Sequence, residues 1–191
     1  MGAAAPSAAG LVGRRWPDRL VPGVARQRGG TGQAWGALTG PNPVDRGKLG
    51  SKYHLLVDGR GIPLAVALSA ANTHDSLVLE PLVDAIPAII GPRGRPGRPR
   101  RRPARLHADK GYDDPRCRRA LRRRGSSPRI ARRGIEPSER LGRHRWRVER
   151  TLAWLVGFRY LQVRYGRHAA YLQAFLHLAC ALICARFLKP L

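Results

Sequence analysis

Apolar and polar positions change period several times along the chain, and each change marks an element. Tyr53-His-Leu-Leu-Val57 is a dense apolar run, Asp58-Gly-Arg-Gly61 is turn chemistry, and Ile62-Pro-Leu-Ala-Val-Ala-Leu68 is a second run. The three together predict a β-hairpin. Pro63 is tolerated only near a strand start or on an edge, and the unbroken second run predicts burial on both faces. From Ser76 to about Ile90 the apolar residues Val78, Leu82, Ala85, Ile86 and Ile89 recur at helical spacing, with Asp75 or Thr73 as N-cap and Pro87 as the stop. Ala104 to Ala108 reads as a third strand closed by Asp109. Asp114 to Arg124 reads as a basic helix stopped by Gly125, and Pro128 to Ala131 as a fourth strand. Strand, helix and strand in that order predict parallel pairing.

Two longer helices close the chain. The first runs from about Ser138 to Tyr160, with Val148, Leu152 and Leu155 as its apolar stripe and Gly157 as a bend. The second, about His168 to Leu188, is apolar enough to raise a membrane span. Gln173, His177 and Arg186 interrupt it, so a buried core helix is the expectation. Residues 1–38 show no period of 2 or 3.6; Trp16, Leu20 and Val21 are isolated apolar positions there. A disordered or aberrant segment is expected, with residues 39–191 forming the folded domain. Ala, Gly, Arg and Pro are also what GC-rich codons yield out of frame, so a frameshifted or truncated start is part of that expectation. Gly91 to Pro103 is a basic Pro/Gly loop: either a solvated connection or an arm that tracks phosphates.

Charge narrows the class. The chain of 191 residues is large enough for one domain with a core and carries a net charge of +24. Such an excess repels itself unless an anion is the partner, and nucleic acid is the leading one. Only Lys48, Lys52, Lys110 and Lys189 are lysines, which leaves 32 of the 36 basic residues as arginine. That bias tracks gene composition as well as phosphate binding, so no single arginine is persuasive alone. Three cysteines do not suggest a disulfide scaffold, and their spacing fails the usual zinc patterns. His177, Cys180 and Cys184 share a helical face, where core packing is the simpler reading. The start lacks the basic and apolar blocks of a signal peptide, so a cytoplasmic protein with no membrane partner is expected.

Two carboxylates stand out. Asp109 ends a strand before Lys110-Gly111, which either caps a turn or presents an acid to a cleft. Glu149 lies on a helix four residues after Arg145, which is an ordinary surface ion pair or part of the same cleft. Arg46, Lys48 and Lys52 precede the hairpin as DNA-phosphate contacts or as a solvated basic face.

From Thr39 onward the chain resembles the DDE-type transposases of bacterial insertion sequences, in the group numbered four/five. The resemblance is carried by Thr39-Gly-Pro-Asn-Pro-Val-Asp-Arg-Gly-Lys-Leu-Gly-Ser-Lys52, Asn72-Thr-His-Asp75, His107-Ala-Asp-Lys-Gly-Tyr112, Ile130-Ala-Arg-Arg133 and Arg145-Trp-Arg-Val-Glu-Arg-Thr151. It implies an α/β, ribonuclease-H-like mixed sheet flanked by helices, acting on double-stranded DNA at element ends and target; a second copy, as a homodimer, is one partner to test for, and the oligomeric state is left open by the sequence. Asp109 would be the second acid of a triad and Glu149 the third, both catalytic and metal-binding. Arg46, Lys48, Lys52, Lys110 and Arg145 would contact DNA. Two Mg²⁺ or Mn²⁺ ions, held by carboxylates about 3.5–4 Å apart, suit in-line displacement at phosphorus. Asn72, His74 and Asp75 would shape the loop beside that site. The implied first acid, on a strand before Thr39, has no counterpart: Val21 to Arg28 contains none, Asp18 follows Pro17, and Asp45 and Asp58 fall in a loop and a hairpin turn. The first strand is therefore expected to be missing or degraded and catalysis severely reduced or absent. A non-catalytic DNA-binding remnant and a basic RNA-associated protein are the alternatives.

Overall fold

A computed structural model of the chain describes residues 19–29, 36–89, 99, 101–135, 142–164 and 166–187. Expectations for residues 1–18, most of the Gly91–Pro103 loop and the start of the helix at Ser138 lie outside these residues.

Strands β3 (Leu49–Val57) and β4 (Pro63–Ala70) form the expected antiparallel hairpin. Asp58 closes its turn by accepting from the backbone N–H groups of Arg60 and Ile62, both at 2.8 Å. Gly61 sits at φ +90°, where an L side chain is strained, and a Cβ there would lie 2.8 Å from Arg150 Nη2. Pro63 opens β4, the position a proline tolerates.

The expectation that the first strand is missing is corrected here, as is the expectation of no regular structure through residue 38. β1 (Arg19–Gly29) is a strand at the centre of the sheet. It pairs antiparallel with β3, Val21 opposite Val57, and parallel with β5 (Arg105–Ala108), Leu20 opposite Leu106. Its sequence has no alternation because each face meets a different core. Leu20 is buried on one side and Val21 on the other. Pro22 and Gly23 would weaken an isolated strand; flanking β3 and β5 impose the extended form.

β5 continues parallel to β6 (Ser127–Ile130), as the strand–helix–strand order predicts. The pairings give the order β4-β3-β1-β5-β6, with β2 (Gly40–Pro41) on β3 and β7 (Val163–Arg164) on β1. One layer of helices, α1 (Asp75–Asp84) and α2 (Pro115–Arg123), covers one face through Leu79, Leu82, Cys117 and Leu121. The other face carries α3 (Gly142–Val156) and α5 (Ala169–Ala185), which bury Val148, Leu155, Leu172, Leu176 and Ile183 against Val21, Tyr53 and Val57. This mixed sheet between helical layers is the expected ribonuclease-H-like arrangement.

Helix ends differ from the sequence reading for local reasons. His74 caps α1 by accepting from Ser76 N–H, and the helix ends at Asp84 because Pro87 disfavours helical backbone in the residue before it. Asp114 caps α2 and Gly125, at φ +72°, follows its end. The helix over Ser138–Tyr160 is broken at Gly157, and α4 (Arg159–Gln162) follows separately. α5 is not the fully buried helix expected, since Tyr171, Phe175, Leu178 and Leu182 face outward. No described helix is long and apolar enough to cross a membrane.

Candidate active site

Asp109 follows β5 directly and caps a short 3₁₀ turn over Lys110–Tyr112; its Oδ1 accepts from Gly111 N–H at 2.9 Å. β-strand geometry thus delivers this carboxylate to the sheet edge, as its sequence context predicts. Gly111 is small for a reason. A Cβ there would stand 3.0 Å from Asp109 Oδ1 and 3.5 Å from Asp75 Oδ2. Those two carboxylate oxygens are therefore at most 6.5 Å apart, the sum of the two distances.

Glu149 reaches the same place from the opposite layer. The hairpin turn anchors α3 beside it: Arg150 Nη2 donates to Arg60 O at 2.6 Å, and Thr151 Oγ1 donates to Gly61 O at 2.7 Å. Glu149 is 56% exposed and pairs with Arg145 one turn earlier, at 3.2 Å. Asp109, Glu149, Arg145 and Asp75 line one cavity of about 220 Å³, whose remaining wall is Pro22, Gly23, Val148 and Leu152.

Asp75 was expected only to shape a neighbouring loop, yet its carboxylate faces the cavity. It heads α1, and its Oδ1 accepts from Lys52 Nζ at 2.9 Å. Lys52 is 4% exposed and also donates to Thr73 O at 2.6 Å. Lys52, expected as a phosphate contact, here spends its ammonium on Asp75 and the Thr73 carbonyl. Arg46 and Lys48 sit exposed in the Asn42–Lys48 turn and do not line the cavity. Lys110 is half-buried beside Asp109, its carbonyl accepting from Arg133 Nε. Behind the acids, the Tyr112 hydroxyl is buried with no hydrogen-bond partner among the described residues. Burial first, and then the nearby Asp75 and Asp109 charges, hold its phenol far above the ordinary value, so it stays protonated.

The wall opposite Asp109 explains what this site lacks. β1 and β5 run parallel with Leu20 opposite Leu106. Beyond that pair, Pro22 and Gly23 of β1 and Asp109, just past the end of β5, line the same cavity. A Cβ on Gly23 would overlap Val148 Cγ2 and come within 3.0 Å of Leu152 Cδ1. The position beside Asp109 thus holds α3 side chains rather than a carboxylate.

The residues present do not fit a pair of divalent ions. Such ions need several oxygen ligands converging at 2.0–2.6 Å. Lys52 and Arg145 already engage Asp75 and Glu149. Among the described residues no three His, Cys, Asp or Glu side chains are placed to share one metal. The His177, Cys180 and Cys184 face is likewise no metal cluster: Cys180 is buried in the core and His177 Nδ1 bonds Gln173 O.

Comparison with known proteins gives the family. Residues 24–184 match the family model described as "Transposase DDE domain". The chain is also 47% identical over 191 residues, 99% of its length and 88% of the relative's, to a Burkholderia cepacia protein named "Putative transposase for insertion sequence element IS402".

Proposed function

The chain belongs to the transposase DDE domain family, and from that premise we propose that it engages double-stranded DNA at the Asp75–Asp109–Glu149 cavity but cleaves it very slowly or not at all. The observation that supports this reading is the β1 wall of the cavity, Pro22 and Gly23, which contributes no acid beside Asp109. DNA transposition is the family's activity. Its strand cleavage and transfer steps are impaired in this chain because two of the three cavity carboxylates are neutralised by basic partners and no acid replaces them from β1.

Arg145 keeps Glu149 oriented toward the cavity mouth, and its half-exposed guanidinium is available to a phosphate that displaces the carboxylate. Asp109 keeps one oxygen clear of the turn bond it accepts. These groups suit DNA binding at the cavity without turnover. Insertion-sequence ends and target DNA are the proposed substrates, in a homodimer that sedimentation with duplex DNA would measure.

The test is nicking of supercoiled plasmid by purified protein in Mg²⁺ or Mn²⁺, beside Asp109→Ala. The expected result is duplex binding with no metal-dependent nicking. Nicking that needs the metal and disappears in Asp109→Ala overturns the proposal.

A further inference from the structure

α2 presents two unlike faces. Cys117, Ala120 and Leu121 are buried against the sheet. The outward side is arginine: among the described residues, Arg116, Arg119, Arg122 and Arg123 line a trough of about 480 Å³. Residues 116, 119 and 123 follow i, i+3, i+7 and so stack on one face, with 122 beside them.

Some of the arginines on this helix are already engaged. Arg118 pairs with Asp113 at 2.7 Å, and Arg124 with Asp84 at 2.6 Å. Arg123 approaches Glu80 at 3.7 Å. Arg119 and Arg122, both exposed, have no carboxylate partner among the described residues. Arg116 donates from Nη2 to Ser76 O at 3.1 Å, and its buried Nε has no partner among the described residues. The exposed guanidinium groups of Arg119 and Arg122, three residues apart on this helix, repel each other, and an anion laid between them removes that cost.

The trough also has a direction. Its Arg116 end bonds the carbonyl of the residue that follows Asp75, and α2 itself begins just after the Asp109 turn. It therefore leads away from the candidate active site. Seven residues of helix at 1.5 Å each give roughly 10 Å, about three phosphates of one strand at 3.4 Å axial spacing.

We propose that the arginine trough of α2 is a phosphate track that holds the backbone of duplex DNA running away from the Asp109 cavity. This rests on the DNA-binding reading given above and assigns it a surface. The contacts are to backbone phosphates and read no sequence.

The experiment uses the full chain and a 30-base-pair duplex of arbitrary sequence, with binding followed by fluorescence anisotropy over a salt series. Arg119→Gln/Arg122→Gln keeps much of the side-chain stem while removing both charges. Arg129→Gln/Arg159→Gln, two exposed arginines elsewhere, removes the same charge as a control. Losing two phosphate contacts lowers the slope of log K against log salt by about 1.8 and weakens binding by one to two orders of magnitude near 0.1 M salt. The control pair should change the slope by less than half as much. Equal effects from both pairs would reduce the trough to bulk charge and overturn the proposal, as would an unchanged slope in the α2 pair. Tighter binding of an A-form RNA duplex through the same arginines would also overturn it. If the unaltered protein binds no duplex DNA, it is the preceding functional reading that fails. Arg119→Ala/Arg122→Ala provides a second measurement, and a cooperative melt certifies each variant.

Discussion

If Gly23 stands where a third carboxylate is needed, installing one should create a metal site that the natural chain lacks. Gly23→Asp alone would force its Cβ into Val148 Cγ2 and crowd Leu152. Overpacking of that kind costs about 1–3 kcal/mol. Adding Val148→Ala removes the overlap with Val148 and leaves only the 3.0 Å approach to Leu152 Cδ1, the end of a flexible side chain. It gives up roughly 1.6 kcal/mol of methyl burial, since Val148 is 2% exposed, part of which the new side chain refills. Adjacent strands lie about 4.8 Å apart, so the new carboxylate would face Asp109 at about 5 Å. At an effective dielectric of about 20 their repulsion is roughly 3 kcal/mol. Without metal the double variant should therefore be several kcal/mol less stable than the natural chain.

A divalent cation between the two acids reverses that term. For a site with a dissociation constant of about 0.1–1 mM, 10 mM Mn²⁺ stabilises by about 1.4–2.7 kcal/mol. In a chain of this size that is roughly 3–10 °C in Tm. Thermal melts of the natural chain, Gly23→Asp/Val148→Ala, and that variant with Asp109→Asn, each with and without Mn²⁺, read it directly. Only the double variant should shift. A cooperatively melting double variant with no shift refutes the placement of Gly23 beside Asp109. So does a natural chain that shifts as far.

Other outcomes follow from the same geometry. Lys52→Met should cost about 2–3 kcal/mol in urea unfolding, below a fully buried pair because Asp75 is 22% exposed, and should leave the salt dependence of DNA binding intact; a smaller salt slope with unchanged stability would restore Lys52 as a phosphate contact. Tyr112→Phe should leave stability within about 1 kcal/mol or raise it, since its buried hydroxyl has no partner among the described residues, and a loss above about 2 kcal/mol would reveal one. Burial holds the His54 imidazole down at about 4, so it is neutral in the fold while the unfolded chain titrates near 6.5. Its contribution is present above the unfolded value and declines as pH falls from about 6.5 toward 4, by up to roughly 3 kcal/mol. Comparing the pH dependence of urea midpoints with His54→Gln should show that decline removed in the variant; identical profiles would refute it.

Elements built from local rules were legible in the chain itself. The β3–β4 hairpin follows from two apolar runs around Asp58-Gly-Arg-Gly61, and the Asp58 side chain that closes the turn lies within four residues of its partners. Asp109 at a strand end, Asp114 as an N-cap, Gly125 past a helix end and the Val148–Leu152–Leu155 stripe are equally local. So was the likeness to the DDE transposases, because it rests on short motifs in order.

Tertiary structure decided the rest, because it depends on which distant residues become neighbours. β1 has a proline, two glycines and no alternation, and only hydrogen-bonded partners on both sides make it a strand. Lys52 resembles any surface lysine until β3 turns it toward the start of α1, where it meets Asp75. The charge on Asp75 then belongs to the cavity of Asp109 and Glu149, contributed by three separate elements. The sequence alone determined that Val21 to Arg28 contains no acid. That Gly23 shares a cavity with Asp109 came from the parallel pairing of β1 with β5, which joins residues more than eighty positions apart and leaves no local trace.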